Sequence, residues 1–576
     1  MTEPITLTGG AKRWTVLPPA PPDVVHALGV PHLWAGLLFH RGVRTPAHAK
    51  SFLGTTGATT LSDPFSLSGM DTAVARIQRA VRGGERIAVY GDFDADGVTA
   101  TALLFTALGL LGASPVPYLP HRTREGHGLS LAAVQELRRQ GVSLIVTVDT
   151  GVTAVAEVQA ARELGIDTIV TDHHVALGPT PPAVAVVTSP IGDEASPMRH
   201  LAGAGLAFKL AQALYASAGE TVPDRLLELA AIGTVADLTP LVGENRVLVT
   251  QGIQALRRSR SPGIRALCEV ARLRPEGLGA EALSFGIVPR INAAGRLGSP
   301  HTSFNLLTTQ SPDEALDLAN ELERLNRDRQ SLTEELFSSA LPEAERQAGD
   351  HRLLFVAGEQ FVPGVNGLVA SRLVDRFQRP SVVASLADGL ASASARSVTG
   401  FHMANALERV GASLVRFGGH AAAAGFVARQ ASLPDVADGL RADAARQLAD
   451  ADMTPSLTID AEVSPRDLLG QTFQFLERLA PFGAGNAEPA FLTRGVKVAD
   501  VRRMGASGQH ASLKLRYGSA LWNAIWFASR NPDASGQNGP DFTVGSTLDI
   551  VYSISRDSRG PHDSTRLLLL DARPSP

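Results

Sequence analysis

Between Ile87 and Val187 the chain repeats one pattern: a short apolar run, an acid or imidazole just beyond it, then a helix-forming stretch. Residues 87–90, 142–148, 166–170 and 183–187 read as strands. Residues 98–111 and 154–164 read as helices, the second ended by Gly165. Short apolar strands alternating with amphipathic helices predict a parallel, doubly wound sheet. Ligands of such sheets lie beyond the carboxyl ends of the strands. That rule singles out Asp92, Asp94 and Asp96 after the first strand, Asp149 after the second, and Asp172-His173-His174 after the third. Asp237, after a helical run from near Leu226, is a fourth candidate.

The run Gly91-Asp-Phe-Asp-Ala-Asp-Gly97 places three carboxylates at alternate positions. On an extended backbone they share one face, and a divalent cation relieves their repulsion. The alternative is an acidic turn without a ligand. Asp94, Asp96, Asp149, His173 and Asp237 together offer hard oxygens and one imidazole. This set suits Mn²⁺ or Mg²⁺ better than a thiolate zinc site. It exceeds what one ion usually takes from protein, so the expectation is two ions sharing a carboxylate and activating a water for attack on phosphorus. His174, beside His173, is expected to touch substrate phosphate or shield the nucleophile instead.

A chain of 576 residues implies about three or four domains. Its 44% hydrophobic and 19% charged residues describe a globular protein. The lone cysteine, Cys268, can form no internal disulfide and sits in an apolar stretch. Neither a signal-like start nor a long apolar run is present, so a soluble, cytoplasmic protein without membrane contact is expected. The net charge of −4 argues against a uniformly basic coat but allows a local basic groove. Lysine occurs only at 12, 50, 209, 497 and 514. The arginine excess suits phosphate contacts, although a GC-rich genome encodes the same bias without function.

The rest of the chain divides by pattern. Residues 1–78 read as an N-terminal segment packed on the domain that follows, 79–307. Residues 308–346 form a long connecting helix with Ser311 as cap and Pro312 in its first turn. Residues 347–455 make a second α/β domain. From 456 onward five or six short strands, with one short helix near Pro465–Leu479, suggest a small barrel of oligonucleotide-binding type. Pro481-Phe-Gly-Ala-Gly-Asn-Ala-Glu-Pro489 looks like a rigid junction into it.

The Asp94-Ala-Asp96 segment, Asp149, Asp172-His173-His174 and Asp237 resemble the four motifs of the DHH phosphoesterases. Gly418-Gly419-His420 resembles the signature of their companion DHHA1 domain. Over residues 80–576 the order, spacing and final β domain are most similar to the RecJ-type bacterial exonucleases. The resemblance implies a repair and recombination enzyme that degrades single-stranded DNA 5′→3′ to 5′-mononucleotides. It implies two Mn²⁺ or Mg²⁺ ions held by Asp94, Asp96, Asp149, His173 and Asp237. Smaller relatives place a histidine ligand where this chain has Tyr90, and Asp92 is a candidate to compensate. In this context Arg122, Arg290, Asn292, Arg296, Ser371, Arg372, Arg396, Gly419 and His420 are expected at substrate. Any single arginine could instead make a surface ion pair. In the barrel, Arg502, Lys514, Arg516 and Trp522 are candidates for strand attraction and base stacking, with Trp522 and Trp526 equally readable as core. The family's role in repair implies a single-strand-binding protein and a RecQ-type helicase as partners of a monomer. Two other readings are a phosphodiesterase for nanoRNA or cyclic dinucleotides and a non-catalytic DNA-binding scaffold. The length and β domain disfavour the first, and the complete ligand set disfavours the second.

Overall fold

The computed structural model describes residues 5–7, 12–54, 61–122, 124–176, 178–505, 510–527, 542–557 and 565–575. Contacts divide the chain into two units, 54–331 with 481–487, and 1–53 with 332–480 and 488–576.

In the first unit five parallel strands run in the order Val116–Tyr118, Ile87–Tyr90, Leu144–Val148, Asp167–Asp172, Ala185–Thr188. Alternation sorts their side chains to two helical layers. Ile87, Val89, Leu144, Val146 and Ile169 pack with the helices Ala95–Leu110, Gly203–Ala218 and Asp224–Ala236. Ala88, Tyr90, Ile145 and Val170 pack with Leu131–Arg139 and Val155–Glu163 on the other face. Burial on both faces is why these strands are almost continuously apolar. The helix Pro312–Asp350 begins as expected, with Ser311 Oγ accepting the Glu314 N–H at 3.3 Å. Its Ala315, Ala319, Leu322 and Leu325 complete the first unit's core.

The second unit contains a mixed sheet and a barrel. The sheet runs Leu414–Gly419, Ala423–Arg429, Leu390–Arg396, Ser381–Ala387, Leu354–Gly358, with only the last pair parallel. The small, polar strand Leu390–Arg396 (Leu-Ala-Ser-Ala-Ser-Ala-Arg) gave no strong strand signal, because alanine and serine are weak strand formers. In the barrel, Phe491–Met504 pairs with both His510–Tyr517 and Thr547–Arg556, while Ala520–Trp526 and Thr565–Pro574 complete the ring. This closure removes the sheet edges. Among the described residues no helix is long and apolar enough to cross a membrane.

The start of the chain differs from expectation. Arg13–Val16 pairs in parallel with Ser456–Ile459, and Trp14 packs with Ile459, Leu492 and Val551. Its indole N–H donates to Asp571 at 2.8 Å. The sequence offered no cue for a partner so remote along the chain. Trp14 is 1% exposed, so Trp14→Ala should destabilise this β region by about 3–5 kcal/mol. That loss is expected as a lowered unfolding midpoint, with earlier hydrogen exchange in the barrel strands.

Candidate metal centre

The acidic loop is not an extended strand. Asp94 is the N-cap of Ala95–Leu110, its Oδ1 accepting the Asp96 and Gly97 N–H groups at 3.0 Å each. Such a cap is worth about 1 kcal/mol. Asp96 therefore lies in the first helical turn. The alternation read as a shared strand face is the spacing of a cap and a first-turn acid. Asp92 points elsewhere: its Oδ1 accepts the Phe93 N–H at 2.7 Å and its Oδ2 meets His127 Nδ1 at 2.8 Å.

Asp149 ends the strand Leu144–Val148 in a left-handed conformation, φ 62°, a region a non-glycine residue occupies at some cost. Its Oδ1 lies 3.0 Å from His173 Nε2, which is 3.7 Å from Asp237 Oδ2. Asp172 accepts the Val152 N–H on one oxygen and both the backbone N–H and Nδ1 of His174 on the other. The turn is thereby folded back, and the rings of His173 and His174 stand 4.4 Å apart.

Two overlapping donor groups result: Asp149, His173 and His174, and Asp96, His173 and Asp237, with ligand atoms within 4.8 Å of one another in each. His174 stands in the first group by distance, with its Nδ1 engaged by Asp172 and its side chain 39% exposed against 14% for His173. Asp92 and Asp94 lie outside both groups, although the charge of Asp94 is felt by Asp96, Asp149 and Asp237.

One helix start and two glycines close the centre. Asp96 accepts the Gly203 and Ala204 N–H groups at 2.7 and 2.9 Å, at the positive end of Gly203–Ala218. A Cβ on Gly203 would stand 2.4 Å from Asp149 Cβ. One on Gly233 would stand 2.5 Å from Asp96 Oδ1. Only glycine allows these helices to approach so closely. Burial, then repulsion from Asp237 and Asp94, holds Asp96 well above the usual carboxylate range. Burial and the neighbouring aspartates do the same to Asp149. The Asp237 carboxyl is pushed up to about 7 by burial and by Asp94. His174, despite burial, is raised to about 9 by Asp172 and the acids beyond it. Buried carboxylates that repel one another, joined by imidazole, fit a hard divalent cation.

Family models match three stretches: the DHH family N-terminal domain over residues 86–234, the DHHA1 domain over 351–450 and the RecJ OB domain over 459–571. The single-stranded-DNA-specific exonuclease RecJ of Bacillus subtilis is 36% identical over 566 residues, spanning 97% of this chain and 70% of that protein. The chain belongs to the RecJ family. Crystal structures of RecJ from Thermus thermophilus with Mn²⁺ and with Mg²⁺ match it at TM-scores of 0.82 and 0.76. Identity to them is 32% and 31%; each match covers 97% of this chain, and 79% and 78% of theirs.

The other expected RecJ-type residues fall into distinct settings. Arg122 lies 4.1 Å over the Phe93 ring, near Asp92 and Asp94, and its buried Nε has no hydrogen-bond partner among the described residues. Arg290 is engaged by the Gly286 carbonyl and by Glu323 at 2.7 Å. Asn292 receives the Ala95 N–H on its Oδ1 at 2.9 Å, so it braces the acidic loop. Arg296 lies in the last turn of Val288–Leu297.

In the second unit, Arg396 reaches the helix Pro363–Phe377, where a Cβ on Gly367 would stand 2.7 Å from its Nη2. Ser371 Oγ donates to the Gly367 carbonyl, and Arg372 pairs with Glu334 at 2.7 Å over the Phe337 ring. Gly419 turns at φ 138° before exposed His420. Arg502, Lys514 and Arg516 are exposed on the barrel, with Lys497 opposite Arg516. Trp522 is corrected: it is 8% exposed, beside Ala524 and Trp526 on the inward face of its strand, and so belongs to the core.

His127, Gly203 and Gly233 were not selected from sequence as parts of the centre, and Asp172 was singled out at its strand end without a ligand role. Only Asp172 carried a cue, its place beside the histidine pair. Gly203 and Gly233 act through close backbone approach between distant segments, and His127 through its side chain on Asp92.

A carboxyl raised toward 7 in the fold, against about 4 in an unfolded chain, stabilises the cation-free protein at low pH. That contribution is lost as pH rises through about 7. Cation binding must displace those protons. Mn²⁺ affinity measured by calorimetry should therefore fall roughly tenfold from pH 8 to pH 6, with proton release at pH 6. In the cation-free protein at pH 8, Asp237→Asn should raise Tm while weakening the Mn²⁺ response.

Proposed function

We propose that this RecJ-family chain hydrolyses single-stranded DNA 5′→3′ to 5′-mononucleotides at a centre for two Mn²⁺ or Mg²⁺ ions. The observation that carries the reading is the gathering of Asp96, Asp149 and Asp237 around His173, with Asp94 close enough for its charge to act on all three acids. Asp94, Asp96, Asp149, His173 and Asp237 would hold the ions. When bound, such ions supply an activated water and neutralise charge on the phosphorus under attack.

The chain's own groups do the rest. Asp172 orients His174 through Nδ1 and keeps it cationic, so its opposite edge can donate a proton to a phosphate oxygen. Arg122, stacked on Phe93 with Nε unengaged, supplies a second cation beside the acidic loop. Asn292 and the Asp94 cap fix the start of the helix that carries Asp96. Arg396 and His420 remain candidates for phosphate, and Asp92 serves the centre through His127. The exposed cations Lys497, Arg502, Lys514 and Arg516 would track the phosphate backbone of a single strand.

The test uses Mn²⁺ with single-stranded DNA labelled at either end, duplex DNA and a dinucleotide. Mononucleotides should be released from the 5′ end of the single strand. Digestion only from the 3′ end, or of the dinucleotide alone, would overturn the reading. Asp149→Ala should abolish turnover, and Asp172→Ala should reduce metal affinity or turnover by about 10–100-fold. Lys514→Ser/Arg516→Ser should weaken strand binding and make its logarithmic salt dependence shallower by about 1.4. Trp522→Phe should leave that dependence unchanged.

A further inference from the structure

The segment Pro481–Ala487 lies far along the chain from the catalytic sheet, yet belongs to the unit formed by Gly54–Ser331. It is a tight turn: the Gly483 N–H donates to Asn486 O at 2.9 Å, and the Asn486 N–H returns to Gly483 O at 3.1 Å. Asn486, 1% exposed, donates from Nδ2 to the Pro481 carbonyl at 2.8 Å. The turn sits on Pro240 and Leu241. The Leu241 N–H donates to Ala484 O at 2.7 Å. A Cβ on Gly485, whose φ is +70°, would stand 3.0 Å from Pro240 Cβ, and one on Gly483 would stand 2.8 Å from Leu241 Cδ1. On the near side, Asn245 Nδ2 donates to Pro240 O at 3.1 Å, and Arg246 Nη1 reaches Pro481 O at 3.5 Å.

Pro240 and Leu241 follow closely on Asp237 in the chain. Asp237 caps the C-terminus of Asp224–Ala236, and the next residue, Leu238, turns the chain at φ 56° with its side chain 70% exposed. A left-handed leucine is strained, and so exposed a side chain contributes little packing to hold the reversal. The helix fixes the chain before Asp237. Afterwards it is held by the Thr239 hydroxyl on the Thr234 carbonyl at 3.2 Å, by Asn245 on the Pro240 carbonyl, and by the seat the 481–487 turn makes for Pro240 and Leu241.

We propose that the turn Pro481–Ala487 is a positioning element for Asp237, holding the chain reversal at 238–241 so that the carboxylate faces His173. The inference rests on Asp237 being a metal ligand. It assigns the glycines and Asn486 a role at the metal centre in place of a mere linker into the barrel.

The test is Mn²⁺ titration by calorimetry on full-length variants, beside exonuclease kinetics at limiting and saturating Mn²⁺. Gly485→Val, which drives a branched side chain into Pro240, should lower Mn²⁺ affinity about tenfold, the range seen when groups supporting a ligand are removed. Its kcat should fall at limiting Mn²⁺ and recover at saturation, with KM for single-stranded DNA unchanged. Asn486→Ala tests the same point should Gly485→Val fail to fold. Gly470→Ala is the control: Gly470 has φ +60° but nothing within 4 Å of a Cβ, so it carries backbone strain without displacing a neighbour. Parental Mn²⁺ affinity in both turn variants, or an equal loss in Gly470→Ala, would overturn the inference. Asp237→Asn separates the two levels. If it binds Mn²⁺ like the parent, the ligand assignment fails; if it alone is weakened, only the role of the turn fails.

Discussion

Mutual repulsion among buried carboxylates is the constraint on which the catalytic unit depends. Asp96 and Asp149 are each 2% exposed and feel one another, Asp94 and Asp237. Without a cation the cluster must hold protons or repel. Neither state is favourable in a low-dielectric interior. The fold tolerates the cluster in part because two of its acids are also held by neutral backbone groups: Asp94 by the amides of the helix it caps, and Asp96 by two amides at a helix start. These bonds fix position without removing the excess charge, which leaves a divalent cation as the natural complement.

The parallel sheet explains why such a cluster can form. Strand ends deliver Asp149 and the 172–174 segment to one edge, while the first strand's exit loop supplies Asp94 and Asp96. Two helices from later in the chain then close the site. Gly203 and Gly233 replace side chains that would otherwise overlap Asp149 and Asp96. Small residues here bring polar backbone and carboxylate together at hydrogen-bond distance.

Much of this was legible in the sequence. Strand-end acids, the histidine pair and Asp237 could be named because parallel-sheet topology ties chemistry to the residues just past each strand. What was not legible depended on contacts between remote segments. Asn292 could be marked as polar and near two arginines, yet not that it would brace the Ala95 amide. The fate of Trp522 turned on which face of a two-sided strand points inward, which composition alone does not decide. The parallel pairing of Arg13–Val16 with Ser456–Ile459 had no local signal at all.

Tyr90 shows how a departure from a family pattern becomes a different device. Where smaller relatives place a histidine ligand, this chain has a phenol that is fully buried and stacked 4.9 Å from Tyr118. Burial raises its pKa above the usual phenol value. Its hydroxyl donates to the Gly128 carbonyl at 2.8 Å. At the other end of the same loop, Glu125 accepts the Tyr118 hydroxyl and the His121 N–H at 2.6 and 2.7 Å. Asp92 secures the Gly128 end as well, through His127, whose ring lies 4.2 Å from that of Phe93. The loop is thus tied at both ends, and Arg122 is carried on it over Phe93. Exchanging a ligand for an anchor moves the contribution of position 90 from the cations to the placement of the Arg122 guanidinium. It also gives Asp92 a task that does not require it to touch metal.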